Sequence, residues 1–182
     1  MKTSYQETWQ QLLPRLSREW RRLGGPEKTE LGTRLRRIAE LQRQMHQLFL
    51  AAGGLQACAD CRGGCCGSGT HHLTLANLLA LLDSEQAFPH PDFNQSCPWL
   101  SVDGCRLEPG CRPFNCVTFV CHLVEEFWSP EQVASFYRLE KALRVEYQWL
   151  ARRCAGGSLQ GVLLVARRLG PVSLLSPLRS KP

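Results

Sequence analysis

No stretch of this 182-residue sequence is apolar for the length of a membrane span. A spanning helix needs about 20 apolar residues, whereas the longest candidate, Gly161 to Ala166, is short and runs directly into Arg167 and Arg168. The N-terminal segment lacks an uninterrupted apolar stretch as well. Lys2, Glu7, Arg15, Arg18, Glu19, Arg21 and Arg22 punctuate it and no small-residue cleavage site follows, which argues against a secretory signal there. Signatures of catalysis are also missing: there is no Gly-rich phosphate loop, no Ser/His/Asp arrangement and no cofactor fingerprint. The radical-SAM order Cys-x3-Cys-x2-Cys does not occur. The Cys58-x2-Cys61 pair lacks the βαβ context that a thioredoxin-like role requires. Disorder is excluded by composition, since 43% of residues are hydrophobic and 21% charged, the proportions of an ordinary globular protein.

What the sequence does have is cysteine. Nine of its ten cysteines fall between residues 58 and 121, namely Cys58, Cys61, Cys65, Cys66, Cys97, Cys105, Cys111, Cys116 and Cys121, and Cys154 stands apart. Such a group is either a disulfide framework in a secreted domain or a set of thiolate ligands in a reducing compartment. With no secretory signal in evidence, thiolate ligation in the cytoplasm is the expectation. The formal net charge of +6 sits mostly in residues 1–53, which carry a net +5. A solvated helix face accounts for that excess better than a nucleic-acid footprint. Eight thiolates around two divalent ions would contribute about −4 and bring the total to roughly +2.

Apolar periodicity organises the rest. Tyr5, Trp9, Leu12, Leu16, Trp20 and Leu23 recur at steps of three and four, which predicts a helix opened by a Ser4–Glu7 capping box and kinked or broken at Pro14. A second helix is predicted from about Lys28 to Ala52 on the stripe Leu31, Leu35, Ile38, Leu41, Met45, Leu48 and Ala52. The two should form an antiparallel hairpin whose apolar face is covered by the rest of the chain or by a protein partner. Residues 55–69 read as a loop wrapped around metal, followed by a short helix from Leu75 to Leu82 after Thr74. Residues 84–112 are too rich in Pro and Gly for long regular structure, so metal is the expected source of their order. Pro113 should open a helix carrying Val117, Val120, Val124 and Phe127. Ser129-Pro130-Glu131-Gln132 is a strong helix start, and the stripe Val133, Phe136, Leu139, Leu143, Tyr147 and Leu150 carries that helix to about Arg153. Gly161 to Ala166 is a short strand or helix.

The chemistry lies in Cys58-x2-Cys61-x3-Cys65-Cys66. A Cys-x2-Cys turn can place two sulfurs on one ion with zinc–sulfur bonds of about 2.3 Å, and Gly63, Gly64 and Gly67 allow the tight backbone that wrapping needs. Adjacent side chains diverge, so Cys65 and Cys66 either serve two neighbouring centres or only one of them binds. A second group, Cys97, Cys105, Cys111, Cys116 and Cys121, would close the site, with the metal as the cross-link. Zinc takes four ligands per ion and a 4Fe–4S cluster also takes four cysteines, so the count favours two centres without naming the metal. His71, His72 and His122 read better as surface or supporting residues than as ligands. Cys154 reads as a partly buried free thiol, and Trp99, Trp128 and Trp149 as core.

Cys58-x2-Cys61-x3-Cys65-Cys66, then Leu73-Thr74 before a helix, then Cys97-Pro98-Trp99-Leu100, Gly104-Cys105 and Arg112-Pro113-x2-Cys116 resemble the YkgJ-like family. Its members are described as zinc- or iron-chelating cysteine-cluster proteins. The resemblance covers about residues 55–121 and implies Cys58, Cys61, Cys65, Cys66, Cys97, Cys105 and Cys116 as ligands, with Arg112-Pro113 as a structural hallmark. The chain departs from that pattern between Cys105 and Arg112, where Glu108-Pro109-Gly110-Cys111 replaces a shorter gap with an aromatic residue. Cys111 and Cys121 are therefore additional candidate ligands.

The expectation is a mainly α fold, a helical scaffold around an irregular, metal-organised cysteine-rich loop region. Residues 1–54 would form the helical hairpin, 55–128 the metal-binding region, and 129–182 a long helix and tail packed with the rest as one domain. The expected function is chelation of zinc or an iron–sulfur cluster in a non-catalytic or accessory protein of the cytoplasm. No membrane or nucleic acid is expected as a partner, and a protein could dock through the N-terminal helices. Two alternatives stand beside it: an iron–sulfur enzyme or redox component in protein modification, and a zinc-organised nucleic-acid or protein adaptor.

Overall fold

Apolar residues at steps of three and four build the long helices of the computed structural model, which describes residues 2–61, 64–102 and 104–178. Helix α1 (Lys2–Arg22) buries Trp9, Leu12, Leu16 and Trp20. It is already under way at Lys2, so Ser4 lies within it and not at its cap. It also runs unbroken through Pro14, which faces solvent, where water can take the carbonyl that proline cannot bond. Helix α2 (Gly25–Ala51) buries Leu31, Leu35, Ile38, Leu41 and Met45 and stops before Gly53, whose φ of 69° only glycine adopts readily.

Helix α7 (Pro130–Arg153) starts as its capping box requires. The Ser129 N–H donates to Gln132 Oε1 at 2.8 Å, and the Gln132 N–H donates back to Ser129 Oγ at 3.3 Å. The shorter elements are α3 (Gly54–Asp60), α4 (Leu75–Asp83), α5 (Phe114–Thr118), α6 (His122–Glu125) and α8 (Val162–Leu169). Two 3-10 helices (Gly64–His71 and Pro109–Cys111) complete the helical part. A two-stranded antiparallel hairpin, β1 (Leu100–Ser101) and β2 (Gly104–Cys105), sets Leu100 opposite Cys105.

Three expectations need correction. Helices α1 and α2 have only Leu23 and Gly24 between them, yet they do not form a packed hairpin. The apolar face of α2 is covered by α7 and α4, while α1 lies on α8 and α4. The described residues between 55 and 69 are not an irregular loop but largely α3 and the first 3-10 helix. The helix expected after Pro113 is interrupted at Phe119, whose backbone is extended. The run Val117-Thr118-Phe119-Val120 is β-branched and aromatic, a poor helix former, and Phe127 ends exposed instead of buried.

Aromatic packing helps to pin the Pro/Gly-rich segment. Trp9 of α1 meets Trp99 at 5.2 Å between ring centroids and Phe88 and Phe93 at 6.3 Å each. The Arg106 N–H closes the hairpin base onto the Trp99 carbonyl at 2.8 Å. Among the described residues no helix is long and apolar enough to cross a membrane.

Three polar side chains, Gln42, Thr74 and Asn77, are almost wholly buried, and they act together. Gln42 Nε2 of α2 donates to the Arg112 carbonyl at 2.6 Å, and Asn77 Nδ2 of α4 donates to the same oxygen at 2.9 Å. Asn77 also reaches the Cys111 carbonyl at 3.1 Å, and both amides reach the Tyr147 hydroxyl of α7 at 3.3 Å. Asn77 Oδ1 in turn accepts from the Thr74 N–H at 2.9 Å and from the Thr74 hydroxyl at 2.6 Å. Burial pushes the Tyr147 phenol up to about 12, so it stays protonated. Replacing Asn77 with leucine strands the Cys111 carbonyl and takes the acceptor from the Thr74 N–H and hydroxyl, while the Arg112 carbonyl keeps Gln42. At about 1–3 kcal/mol per stranded buried group, Asn77→Leu should cost roughly 3 kcal/mol or more in urea unfolding. Tyr147→Phe, which removes one hydroxyl, should cost about 1 kcal/mol.

Candidate metal centre

Five local devices place the cysteines. Cys58 lies on α3 and Cys61 caps its C-terminus, with Cys61 Sγ 3.5 Å from the Cys58 carbonyl. Cys65 and Cys66 open the first 3-10 helix. Cys97 precedes the hairpin, and Cys105 sits on its second strand. Cys116 is on α5, one turn after the Arg112-Pro113 pair, and Cys121 is the N-cap of α6. The break at Phe119 therefore has a consequence, because it frees Cys121 from a continuous helix and starts α6 on it. All ten thiols are free, with Cys97, Cys111 and Cys154 buried and Cys61, Cys65, Cys105 and Cys116 exposed.

The two cysteine stretches are tied together by the backbone. The Thr70 hydroxyl donates to the Ser96 carbonyl at 2.5 Å, and the Thr70 N–H donates to the same oxygen at 3.2 Å. Gly69 lies so close to Cys97 that a Cβ at that position would stand 2.5 Å from its sulfur. Behind the loop, the Val162 N–H that begins α8 donates to the Leu73 carbonyl at 2.7 Å.

Electrostatic interaction links eight of the thiols to one another. Cys58 is raised first by burial and then by the nearby sulfurs of Cys65, Cys61 and Cys121. Cys66 is pushed up to about 12 by burial, with Cys65, Cys97, Cys105 and Cys58 adding to the effect. Cys116 is also raised, by desolvation around its sulfur although the residue as a whole is exposed, and by Cys105, Cys97 and Cys66. Cys97 is raised by burial and by Cys105, against the opposing hydrogen bonds of the Trp99 and Leu100 N–H groups. Cys58 thus neighbours Cys61, Cys65 and Cys121, and Cys116 neighbours Cys66, Cys97 and Cys105, while Cys66 also neighbours Cys65 and Cys58 and so connects the two groups.

Two residues outside the thiol sets act on them. The Arg112 guanidinium lowers both Cys58 and Cys116, so one cation serves both sets. It is held by the Leu107 carbonyl at 3.2 Å and faces His46 Nδ1 at 3.4 Å. His72 Nδ1 lies 3.3 Å from Cys116 Sγ, and burial followed by the neighbouring His71 lowers the His72 imidazole, which favours its neutral form. His71 itself packs edge-on against Tyr5 at 5.1 Å, and His122 is the first residue of α6.

Cys111 stands apart from the other thiols. It is buried beside Glu108 and Arg43, and burial with Glu108 raises it to about 11. Cys154 ends α7, buried and raised to about 11 chiefly by desolvation. Sequence reasoning had no means to separate Cys111 from its neighbours, because spacing says nothing of which way the Pro109–Cys111 turn faces. It noted Arg112 only as a hallmark and passed over Gly69 and Thr70.

As they stand, no group of three or more His, Cys, Asp or Glu side chains among the described residues has the geometry to hold a metal ion. The sets are gathered at electrostatic range, not at bonding distance. The donor chemistry nevertheless suits a soft ion, since each set consists of four thiols. No family model matches the chain, and neither a curated protein nor a solved structure matches it.

The tightest approach in the site is also testable. Gly69→Ala forces its Cβ against the buried Cys97 and should lower the urea-unfolding free energy by about 1–3 kcal/mol. Gly67→Ala, which meets open space, should change it by no more than about 0.5 kcal/mol.

Proposed function

We propose that this protein is a metal-binding protein that holds two soft-metal centres, zinc or iron–sulfur, on eight cysteine thiolates. One centre would use Cys58, Cys61, Cys65 and Cys121, and the other Cys66, Cys97, Cys105 and Cys116. What supports this reading is that eight thiols from residues 58–66, 97–105 and 116–121 lie near enough to act on one another, with Cys66 facing thiols of both proposed centres. Cys111 and Cys154 fall outside both. Ten free thiols suit a reducing compartment, and the cytoplasm is the proposed setting. The resemblance of the cysteine pattern to the YkgJ-like family supports the same reading, as does the absence of any catalytic constellation in the sequence. The role is structural or accessory, and the metal supplies the cross-link between the two cysteine stretches.

When bound, the metal draws its ligands into the thiolate form and releases their protons. Arg112 then offsets part of the charge of both sets, and His72 presents a ring nitrogen to the Cys116 sulfur. The Thr70–Ser96 tie and the Gly69–Cys97 contact hold the two stretches in register before any metal arrives.

Elemental analysis with a visible spectrum, on protein purified without oxygen and without an affinity-metal column, tests the reading. About two zinc per chain in colourless protein, or iron with acid-labile sulfide in brown protein, is the expected result. Metal-free protein that takes up neither zinc nor reconstituted cluster would overturn it. In the loaded protein the eight ligand thiols should be slow toward a thiol reagent, and chelation should expose about eight of the ten. Cys116→Ala and Cys58→Ala should each lose about one centre, whereas Cys111→Ala should keep both.

A further inference from the structure

Helix α6 and the turn after it carry large apolar side chains that the fold leaves in solvent. Leu123 and Phe127 stand one helical turn apart. The winding continues past Glu125, because the Phe127 N–H donates to the Val124 carbonyl at 3.2 Å and the Trp128 N–H to the Glu125 carbonyl at 3.0 Å. Phe119 lies just ahead of the helix. Two neighbouring helices extend this ridge. The Tyr137 hydroxyl of α7 donates to Glu125 Oε1 at 3.1 Å, which sets that ring alongside α6. Helix α3 packs on α6 as well, and its Leu55 shares a helical face with Cys58, the neighbour of Cys121. Exposure is lowest at Leu123, at 44%, and highest at Phe127, at 69%, with Leu55, Phe119 and Tyr137 between them. Single exposed apolar residues are ordinary, but a neighbouring group rich in aromatic rings marks an interface.

The charge around the ridge is of one sign. Residues 113–137 contain Glu125, Glu126 and Glu131 and no Lys or Arg, a net −3 within a chain of net +6. None of the three carboxylates forms an ion pair among the described residues. The flanking cations are turned elsewhere, Arg112 to the Leu107 carbonyl at 3.2 Å and Arg138 to Ser135 Oγ at 3.1 Å. Such a surface repels nucleic acid and anionic lipid, and it complements an apolar stripe edged with Lys or Arg.

We propose that this ridge docks a basic amphipathic helix of a partner protein. The partner's apolar stripe would lie on Phe119, Leu123, Phe127 and Tyr137, and its cations would meet the three carboxylates. The surface is distinct from the N-terminal helices, whose apolar stripes are buried in the core. It does not depend on the metal reading.

Fluorescence anisotropy of a labelled synthetic peptide, measured on the full chain at roughly 0.15 M salt, tests it. The peptide has about 18 residues, five turns of helix, all leucine and lysine, with leucines at steps of three and four. It should bind saturably at one per chain, at least about tenfold more tightly than a scrambled peptide of the same composition. Leu123→Ala with Phe127→Ala should weaken it at least about tenfold, and Glu126→Lys at least about fivefold. Two controls should each change it less than about twofold. One is Leu164→Ala with Val172→Ala, exposed apolar residues outside the ridge. The other is Glu30→Lys, about 27 Å along α2 from Leu48, whose carbonyl accepts from Trp128 Nε1. All the substituted residues are exposed, and circular dichroism checks that each variant keeps its fold. No saturable binding, equal binding of the scrambled peptide, or equal weakening by the controls would overturn the proposal. A dimer of the chain abolished by Leu123→Ala with Phe127→Ala would overturn it too, assigning the ridge to a second copy. Binding to phosphatidylcholine vesicles lost in the same variant would overturn it in favour of a lipid surface.

Discussion

One carbonyl oxygen, that of Arg112, sets the geometry of the cysteine-bearing half of the molecule. Carboxamides from α2 and α4 converge on it, and the Tyr147 hydroxyl of α7 closes the group. Three helices distant in sequence are thereby fixed to one point of a Pro/Gly-rich strand of chain. Everything downstream inherits that anchor. Pro113 opens α5, Cys116 follows within it, and the Arg112 side chain turns back to the Leu107 carbonyl and to His46. A hydrogen-bonded group buried this deeply is retained because each of its members would be costly alone. Its rigidity is what allows a short helix such as α5 to present a sulfur reproducibly.

Charge is the second constraint, and it bears on the proposed metal site. Desolvation and neighbouring sulfurs both raise Cys66 and Cys116, which favours their thiol over their thiolate forms. Four thiolates could share either pocket only if something positive replaced the protons. Arg112 is the built-in cation that acts on both sets, but one guanidinium cannot balance eight sulfurs. Two divalent ions or clusters could. The same reasoning separates Cys111, whose neighbours are a carboxylate and an arginine already paired with each other at 2.9 Å. There the buried thiol faces Glu108 and Arg43 and no other sulfur.

The legible parts of the fold were those written in local periodicity and capping. The stripes of α1, α2 and α7 are the buried ones, and Ser129 with Gln132 closes as its spacing requires. The choice of partner was not legible. An amphipathic stripe states that a face must be covered and not by what, and α7 outcompetes α1 for the face of α2. Glycine and cysteine content suggested a wrapped loop at residues 55–69, although short helices tolerate the same residues when their ends are tied, as Thr70 ties this one to Ser96. In the site, the cysteines themselves were evident from spacing. Which of them neighbour one another was not, since that depends on the break at Phe119 and on the direction of the Pro109–Cys111 turn, which sets Cys111 apart.

The frame also limits what a metal would have to do. Trp9, Trp99, Phe93 and the α2–α4–α7 core bury apolar surface to which only Cys97 of the eight thiols belongs, with Cys66 and Cys121 packed at its edge, and the Thr70–Ser96 and Val162–Leu73 bonds already set the cysteine loops against it. In a small zinc-dependent domain the ion replaces a missing core, and its loss unfolds the chain. Here a core exists, so metal binding would order the surface that carries the sulfurs more than it would create the fold. That surface is also where half of the proposed ligands are exposed. Ligands mounted on a stable frame and open to solvent can exchange an ion without global unfolding, which is compatible with the accessory role proposed above.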